Sequence, residues 1–320
     1  MKIVVTMEVQ PKHQTILTQA AGQNDIVFTQ EDITSEDATK ALGEADIIIG
    51  NIPTDLVKTL PKLKWLQLNS AGSNQYCEPG VLRPDVALTN ATGAYGIAIA
   101  EYMVGILLEM MKKLPAYYDN QKQSLWRDEG PVPSLYGATV LVVGYGDIGS
   151  RFGTLLKAFG AHVIGIRRRH GVVPPECDAM GTMEDFATFA KDAAIVAASL
   201  PETAATHHYF DASLFQAMKQ GTYFLNVGRG TSVVQEDLRQ ALVSGHLGGA
   251  AIDVTDPEPL PSDSPLWQTP NLYITPHVSG GYHVQTTHDL IVDIAARNLR
   301  YFLANEPLEN IVDRTTGYKQ

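Results

Sequence analysis

Cysteine is nearly missing from this chain: the 320 residues hold two, Cys77 and Cys177. They lie far apart and in no ligand-like spacing, which excludes a disulfide framework and a zinc site, so no metal is expected and neither thiol is given a role. A reducing, cytoplasmic setting fits. Long apolar runs are missing too. No stretch reaches the ~20 uncharged residues that a membrane span needs, and the best of them, Val104 to Leu108, is soon ended by Glu109 and Lys112-Lys113. Basic residues are outnumbered, 24 Lys and Arg against 35 Asp and Glu, for a formal net charge of −11. That balance excludes a general nucleic-acid surface, which needs clustered cations in excess. Fixed-period repeats and low-complexity tracts are absent. The opening MKIVVTMEVQ has too short an apolar run for a secretory signal and reads instead as a first strand.

What is present is the composition of a folded protein, 44% apolar and 18% charged, at a length that suits two domains. From Val140 onward short β-branched runs (TVLVVG, HVIGIR, AAIVAASLP, TYFLNVG, GAAIDV, LYITPHV) alternate with helical stretches. Alternation of this kind builds a doubly wound parallel sheet covered by helices on both faces. One helix is expected over Gln235 to Leu247, from Leu238, Leu242 and Leu247 at helical spacing, with acids first and Gly after. The first hundred residues repeat the style with KIVVT, DIIIG, KWLQLNS and VALTN, without a glycine fingerprint. Apolar helices at Ile97 to Lys112 and Thr286 to Leu303 flank the central unit and are read as crossing points between domains. The expected division is a central domain, 99–285, and a discontinuous outer domain, 1–98 with 286–320.

The stretch VVGYGDIGSRFG places Gly144, Gly146 and Gly149 in G-x-G-x-x-G spacing, after an apolar strand and at the start of a helix. The three glycines serve different ends, in order the tight turn, backbone approach to a pyrophosphate, and close helix–strand contact. With Tyr145, Asp147 and Ile148 between them, the loop is expected to hold a dinucleotide on the free N–H groups of a helix N-terminus. An NAD site usually carries an acid about 20 residues on, to bond the ribose hydroxyls. Here the second strand runs into Arg167-Arg168-Arg169. Guanidinium groups suit a 2′-phosphate, so NADP is the expected cofactor, with NAD possible.

Three further residues stand beyond later strands, at the edge where such sheets bind ligands. Arg229 lies in GRG after FLNV, Glu258 in DPEPLP after AAIDV, and His277 in TPHVSGG after LYIT. One guanidinium, one carboxylate and one imidazole suit reduction of a 2-keto acid. Arg229 would hold the substrate carboxylate and polarise its carbonyl, His277 would exchange the proton on oxygen, and Glu258 would orient the imidazole and favour its charged form. Singly, each has an ordinary reading as a loop cap, an exposed acid or one of nine histidines.

Together the motifs resemble the D-2-hydroxyacid dehydrogenase family. LNSAGSNQ (68–75), TGAYGIAIAEY (92–102), VVGYGDIG, SLPETAAT (199–206), LNVGRG (225–230), AIDVTDPEPLP (251–261) and TPHVSGG (275–281) follow that family's order over most of the chain. The resemblance implies two Rossmann-like domains, the outer one flavodoxin-like, with a cleft that a hinge motion would close. It implies catalysis by Arg229, Glu258 and His277, and selects Glu258 over Asp256 or Glu202. It implies that Ser70, Ala71 and Gly72 hold the substrate carboxylate and that Asp253 bonds the nicotinamide carboxamide. Leu200, Pro201 and Thr206 would line the adenosine and phosphate side, with Val227 and Gly228 beneath the nicotinamide. The expected protein is a homodimeric reductase of a small 2-keto acid. Phosphoglycerate dehydrogenase without its regulatory extension, and glyoxylate/hydroxypyruvate reductase, are alternatives inside the family. A formate dehydrogenase would have Gln in place of Glu258. A dinucleotide-sensing corepressor on the same fold is the alternative from another class.

Overall fold

The computed structural model describes residues 1–29, 32–281, 284–315 and 317–319. Its contacts divide the chain into two units, Met1–Tyr95 with Tyr282–Gln320, and Gly96–Gly281. Both are α/β units built on a parallel sheet, as the alternating strand and helix patterns imply.

The first unit carries β1 (Lys2–Val5), β2 (Asp25–Phe28), β3 (Ile47–Ile49), β4 (Trp65–Gln67) and β5 (Ala87–Thr89), in the order β2-β1-β3-β4-β5. This is the flavodoxin-like arrangement. Successive side chains of a strand point to opposite faces, and here both faces are covered. Ile3, Val5, Ile47, Ile49 and Trp65 pack with Leu17 of the helix Pro11–Ala21 and with Ile291, Val292 and Leu299 of the helix Gln285–Ala304. Val4, Ile48 and Leu66 enter the opposite core with Ala41 and Leu42 of the helix Glu36–Gly43.

The second unit carries β6 (Thr139–Val143), β7 (His162–Ile166), β8 (Ala179–Gly181), β9 (Ile195–Ala198), β10 (Thr222–Asn226), β11 (Leu247–Ile252) and β12 (Leu272–Ile274). Their order, β12-β11-β10-β9-β6-β7-β8, reverses direction at the β6–β9 pair, and every pairing is parallel. All the carboxyl ends therefore lie along one edge. The loops that matter leave from that edge, with the glycine turn after β6 beside the point of reversal where such sheets take ligands.

One expected helix is shorter than its leucine spacing suggested. Gln235–Val243 is helical, and Leu238 and Leu242 are buried in it. The chain then turns at Gly245, whose φ is +74°, and the third leucine, Leu247, is the first residue of β11. Helical periodicity and strand burial coincide at that residue, and the Ser244-Gly245 pair decides between them by ending the helix.

Candidate active site

At the carboxyl end of β6 two of the loop's three glycines, Gly144 and Gly149, meet backbone that leaves no room for a side chain. A Cβ on Gly144, whose φ is +95°, would lie 2.8 Å from the carbonyl oxygen of Ser199, and one on Gly149 would lie 2.4 Å from that of Gly144. Ser199 Oγ donates to Gly144 O across 2.8 Å, tying the turn to the end of β9. Around Gly146 there is open space, with nothing within 4 Å of a Cβ added there. The helix Asp147–Ala158 begins immediately after it without a side-chain cap, so its first-turn N–H groups are left for an anion. The loop thus fits a dinucleotide pyrophosphate.

Arg167 follows β7 and sends its Nε–H to the carbonyl oxygen of Tyr145, 2.7 Å away. Arg168 and Arg169 are exposed. At the end of β9, Leu200 is buried, and Thr206 Oγ1 donates to Pro201 O across 2.6 Å, closing the loop on itself.

Beyond β10, Val227 and Gly228 are buried and Arg229 is half-buried. The turn is held from inside by Asn226. Its Nδ2 donates to Arg229 O at 3.0 Å and its Oδ1 accepts from Gly228 N at 3.0 Å. Gly230 is pressed against the neighbouring loop, since a Cβ there would stand 2.0 Å from Thr255 O. Arg229 Nη1 donates to Gly228 O across 2.7 Å, so the guanidinium starts from a fixed position.

Glu258 and His277 meet. Glu258 Oε1 accepts from Thr255 N at 3.0 Å, and Oε2 lies 2.8 Å from His277 Nδ1. A carboxylate only accepts, so Nδ1 carries the hydrogen of this bond and Nε2 is the nitrogen left for a ligand. His277 sits in the left-handed region, at φ +53°. Asp253, only 1% exposed, holds it there. Its carbonyl accepts from His277 N at 2.8 Å; its Oδ1 accepts from Thr275 Oγ1 at 2.6 Å and Val278 N at 3.0 Å; its Oδ2 accepts from Ser279 N at 3.0 Å and Ser279 Oγ at 2.5 Å. A cavity of about 350 Å³ lies against the pair, lined by Asp253, Glu258, Leu260, Trp267, Ile274 and His277 among others. Among the described residues no group of three or more His, Cys, Asp or Glu side chains could hold a metal ion. No helix there is long and apolar enough to cross a membrane.

Residues 104–279 match the profile of the NAD-binding domain of D-isomer specific 2-hydroxyacid dehydrogenases, more than half of the chain. The chain belongs to the D-2-hydroxyacid dehydrogenase family. Its members are NAD(P)-dependent oxidoreductases. A family protein of Aeromonas salmonicida is 34% identical, with a TM-score of 0.87 over 98% of both chains. The NADPH-dependent glyoxylate/hydroxypyruvate reductase of Sinorhizobium meliloti, solved with NADP and sulfate, is 27% identical, with a TM-score of 0.83 over 99% of both. Glyoxylate/hydroxypyruvate reductase A of Citrobacter koseri is 31% identical over 70% of each chain.

In this dehydrogenase Ser70, Ala71 and Gly72, expected to hold a substrate carboxylate, belong to the first unit. Ser70, Ala71 and Gly72 are half-buried and braced by asparagines: Asn51 Nδ2 donates to Ser70 Oγ at 3.0 Å and Asn90 Nδ2 to Ala71 O at 2.8 Å. Ser70 Oγ donates to Gly72 O at 2.7 Å. The amides of Ala71 and Gly72 have no protein acceptor among the described residues.

Several supporting residues escaped the sequence reading. Thr275, Ser279 and Asn226 lie inside motifs that were read, but they were given no role, because their hydroxyl and amide bonds carry no periodic signal. An Asn before a glycine turn is the clearest cue of the three, because its side chain can mimic a turn. Tyr102, the last residue of TGAYGIAIAEY, was given no role. It lies on the helix Gly96–Met111, with its hydroxyl 2.6 Å from Thr275 Oγ1. Because Thr275 gives its hydrogen to the Asp253 carboxylate, Tyr102 must donate, and burial pushes its hydroxyl pKa up, keeping that proton in place.

Proposed function

We propose that this dehydrogenase reduces a small 2-oxo acid of the glyoxylate or hydroxypyruvate class to the 2-hydroxy acid, the D isomer where the product is chiral, with NADPH preferred over NADH. The observation that carries the reading is the His277–Glu258 pair, 2.8 Å apart, with Nε2 of the imidazole left for a ligand. The bound nicotinamide nucleotide supplies the hydride. Arg229 binds the substrate carboxylate and draws electron density onto the carbonyl oxygen. His277, as imidazolium, delivers the Nε2 proton to that oxygen as the carbonyl carbon becomes tetrahedral, and Glu258 offsets its positive charge until the proton leaves. In the first unit, the amides of Ala71 and Gly72 are donors of a kind that suits a carboxylate. Val227, Gly228 and Asp253 belong to the nicotinamide side of the site, and Leu200, Pro201 and Thr206 to the adenosine side.

The cofactor preference rests on Arg167, which stands where an acid would bond the ribose of NAD. Its guanidinium can only donate, and donates best to an anion. Two relatives in the same fold are solved with NADP, at 27% and 25% identity. The preference shrinks as salt rises, because partly exposed charge pairs are screened. The active form is a cytoplasmic homodimer.

The test is a panel of 2-keto acids offered with NADPH and with NADH, followed at the nicotinamide absorbance. Glyoxylate or hydroxypyruvate is expected among the best substrates, with kcat/KM higher for NADPH. Turnover of none of them, or a higher kcat/KM with NADH, would overturn the reading.

A further inference from the structure

Of the three consecutive arginines after β7, only Arg167 is oriented by the protein. Its backbone N–H donates to Gly181 O at 3.0 Å, and its side-chain Nε–H to Tyr145 O at 2.7 Å. The guanidinium carbon lies 5.6 Å from the centroid of the Tyr145 ring, within the range of a cation–π contact. Neither terminal nitrogen of Arg167 has a protein partner among the described residues, and the same holds for Arg168 and Arg169. The guanidinium is therefore tethered by one N–H, and the other four are left to donate.

The ring that supports it is itself fixed on several sides. Tyr145 is 1% exposed. Its hydroxyl donates to Glu176 O at 3.2 Å. Two glycines make room for it: a Cβ on Gly153 would fall 2.4 Å from the tyrosine oxygen, and one on Gly165 would fall 2.7 Å from Cδ2. The helix Asp147–Ala158 and β7 are both indented for this one side chain. Gly144 and Tyr145 also donate their backbone N–H groups to Ile166 O, at 3.0 and 2.9 Å, which locks the glycine loop to the end of the strand that carries Arg167. Loop, ring and guanidinium form one assembly.

We propose that Tyr145 is the positioning residue for cofactor choice: through its carbonyl and ring it holds Arg167 with both terminal nitrogens presented to a 2′-phosphate. The proposal deepens the NADPH reading and rests on it. A lysine at position 167 would carry the same charge but have neither an Nε–H beside a planar group nor a face to lay on the ring. Tyr145 thus converts a charge that any basic residue supplies into a fixed fork.

The experiment uses the ligand-free full chain and calorimetric titration with two probes, adenosine 2′,5′-bisphosphate and adenosine 5′-phosphate. In the parent the bisphosphate binds more tightly, by about tenfold or more. Arg167→Ala abolishes most of that ratio. Tyr145→Leu lowers it by roughly three- to tenfold through the bisphosphate alone. The double variant matches Arg167→Ala, because the tyrosine acts only through the arginine. Tyr145→Phe keeps the parent ratio, and Arg167→Lys loses several-fold despite its charge. Equal weakening of both probes in Tyr145→Leu would show a ring that merely props the loop and would overturn the proposal. So would additive effects in the double variant, or an Arg167→Lys variant with the parent ratio, which decides the matter even where Tyr145→Leu fails to fold. An Arg167→Ala variant with an unchanged ratio would remove the 2′-phosphate reading itself, and this proposal with it.

Discussion

Thr275 donates its hydroxyl hydrogen to Asp253 across 2.6 Å, and that bond is one of four by which a single buried carboxylate organises the loop carrying His277. An amide in place of the carboxylate has one accepting oxygen and a donor where a second acceptor is needed. Asp253→Asn therefore leaves buried hydrogen-bonding groups unmatched, at a cost of about 1–3 kcal/mol. It is expected to lower Tm by several degrees and kcat at least ~10-fold, as His277 loses its fixed position. Thr275→Ser keeps the hydroxyl and stays near the parent in both. Thermal unfolding and steady-state kinetics on the two variants check this, and a fully active Asp253→Asn protein would contradict it.

The glycine loop allows a paired comparison. Gly149→Ala puts a methyl group 2.4 Å from Gly144 O, backbone against backbone, and should cost about 1–3 kcal/mol of stability as well as nucleotide affinity. Gly146→Ala meets nothing in the protein, so its Tm should be unchanged while NADPH binding weakens, because the methyl occupies space that phosphates approach. Calorimetric titration beside thermal unfolding separates the two. A Gly146→Ala variant that binds like the parent would show that the pyrophosphate lies elsewhere.

Much of this arrangement was legible in the sequence because it rests on local rules. G-x-G-x-x-G states where backbone must pass close to backbone, and the apolar runs before Gly144, Arg167, Arg229 and His277 state where strands end. What escaped was of two kinds. The edge strands β2 and β8 are the short segments DIVF and AMG, the second without a β-branched residue, and they are strands through pairing with β1 and β7 rather than through their own pattern. The supporting polar contacts, Tyr102 to Thr275 and Asn226 to Arg229, join residues whose partnership depends on the folded chain. The bond from Arg167 to the Tyr145 carbonyl is of the same kind, spanning 22 residues.

Acid should weaken the first unit through Asp289. Hydrogen bonds from Lys12, then His13 and Gln285, hold its carboxyl well below the usual aspartate value of 3.8. A depressed folded pKa contributes stability that is complete above the unfolded value and is lost as pH falls through 3.8 toward the folded one. Asp289→Asn removes this contribution, so its Tm should fall below the parent's near neutral pH, and the gap should start to narrow only as the pH falls below about 3.8. A gap between the two curves that stays constant below that pH would contradict the assignment.

Glu258→Gln removes the carboxylate charge. Its single accepting oxygen can serve His277 Nδ1 while its amide nitrogen faces Thr255 N, and it no longer offsets the charge of the imidazolium. The variant is expected to bind NADPH like the parent and to lose about ten- to a hundredfold in kcat. Loss of nucleotide affinity, with kcat kept, would place Glu258 in the cofactor site instead.

The central claim is that His277 delivers the proton that completes reduction of a 2-keto acid. It is tested most directly by the rate of keto-acid-dependent NADPH oxidation in the parent and in His277→Ala, at saturating substrate and cofactor. The account predicts a fall of about 10²-fold or more, the scale of a positioned acid, with the Kd for NADPH unchanged. A His277→Ala protein that turns over within twofold of the parent would contradict it, because the proton would then come from another group.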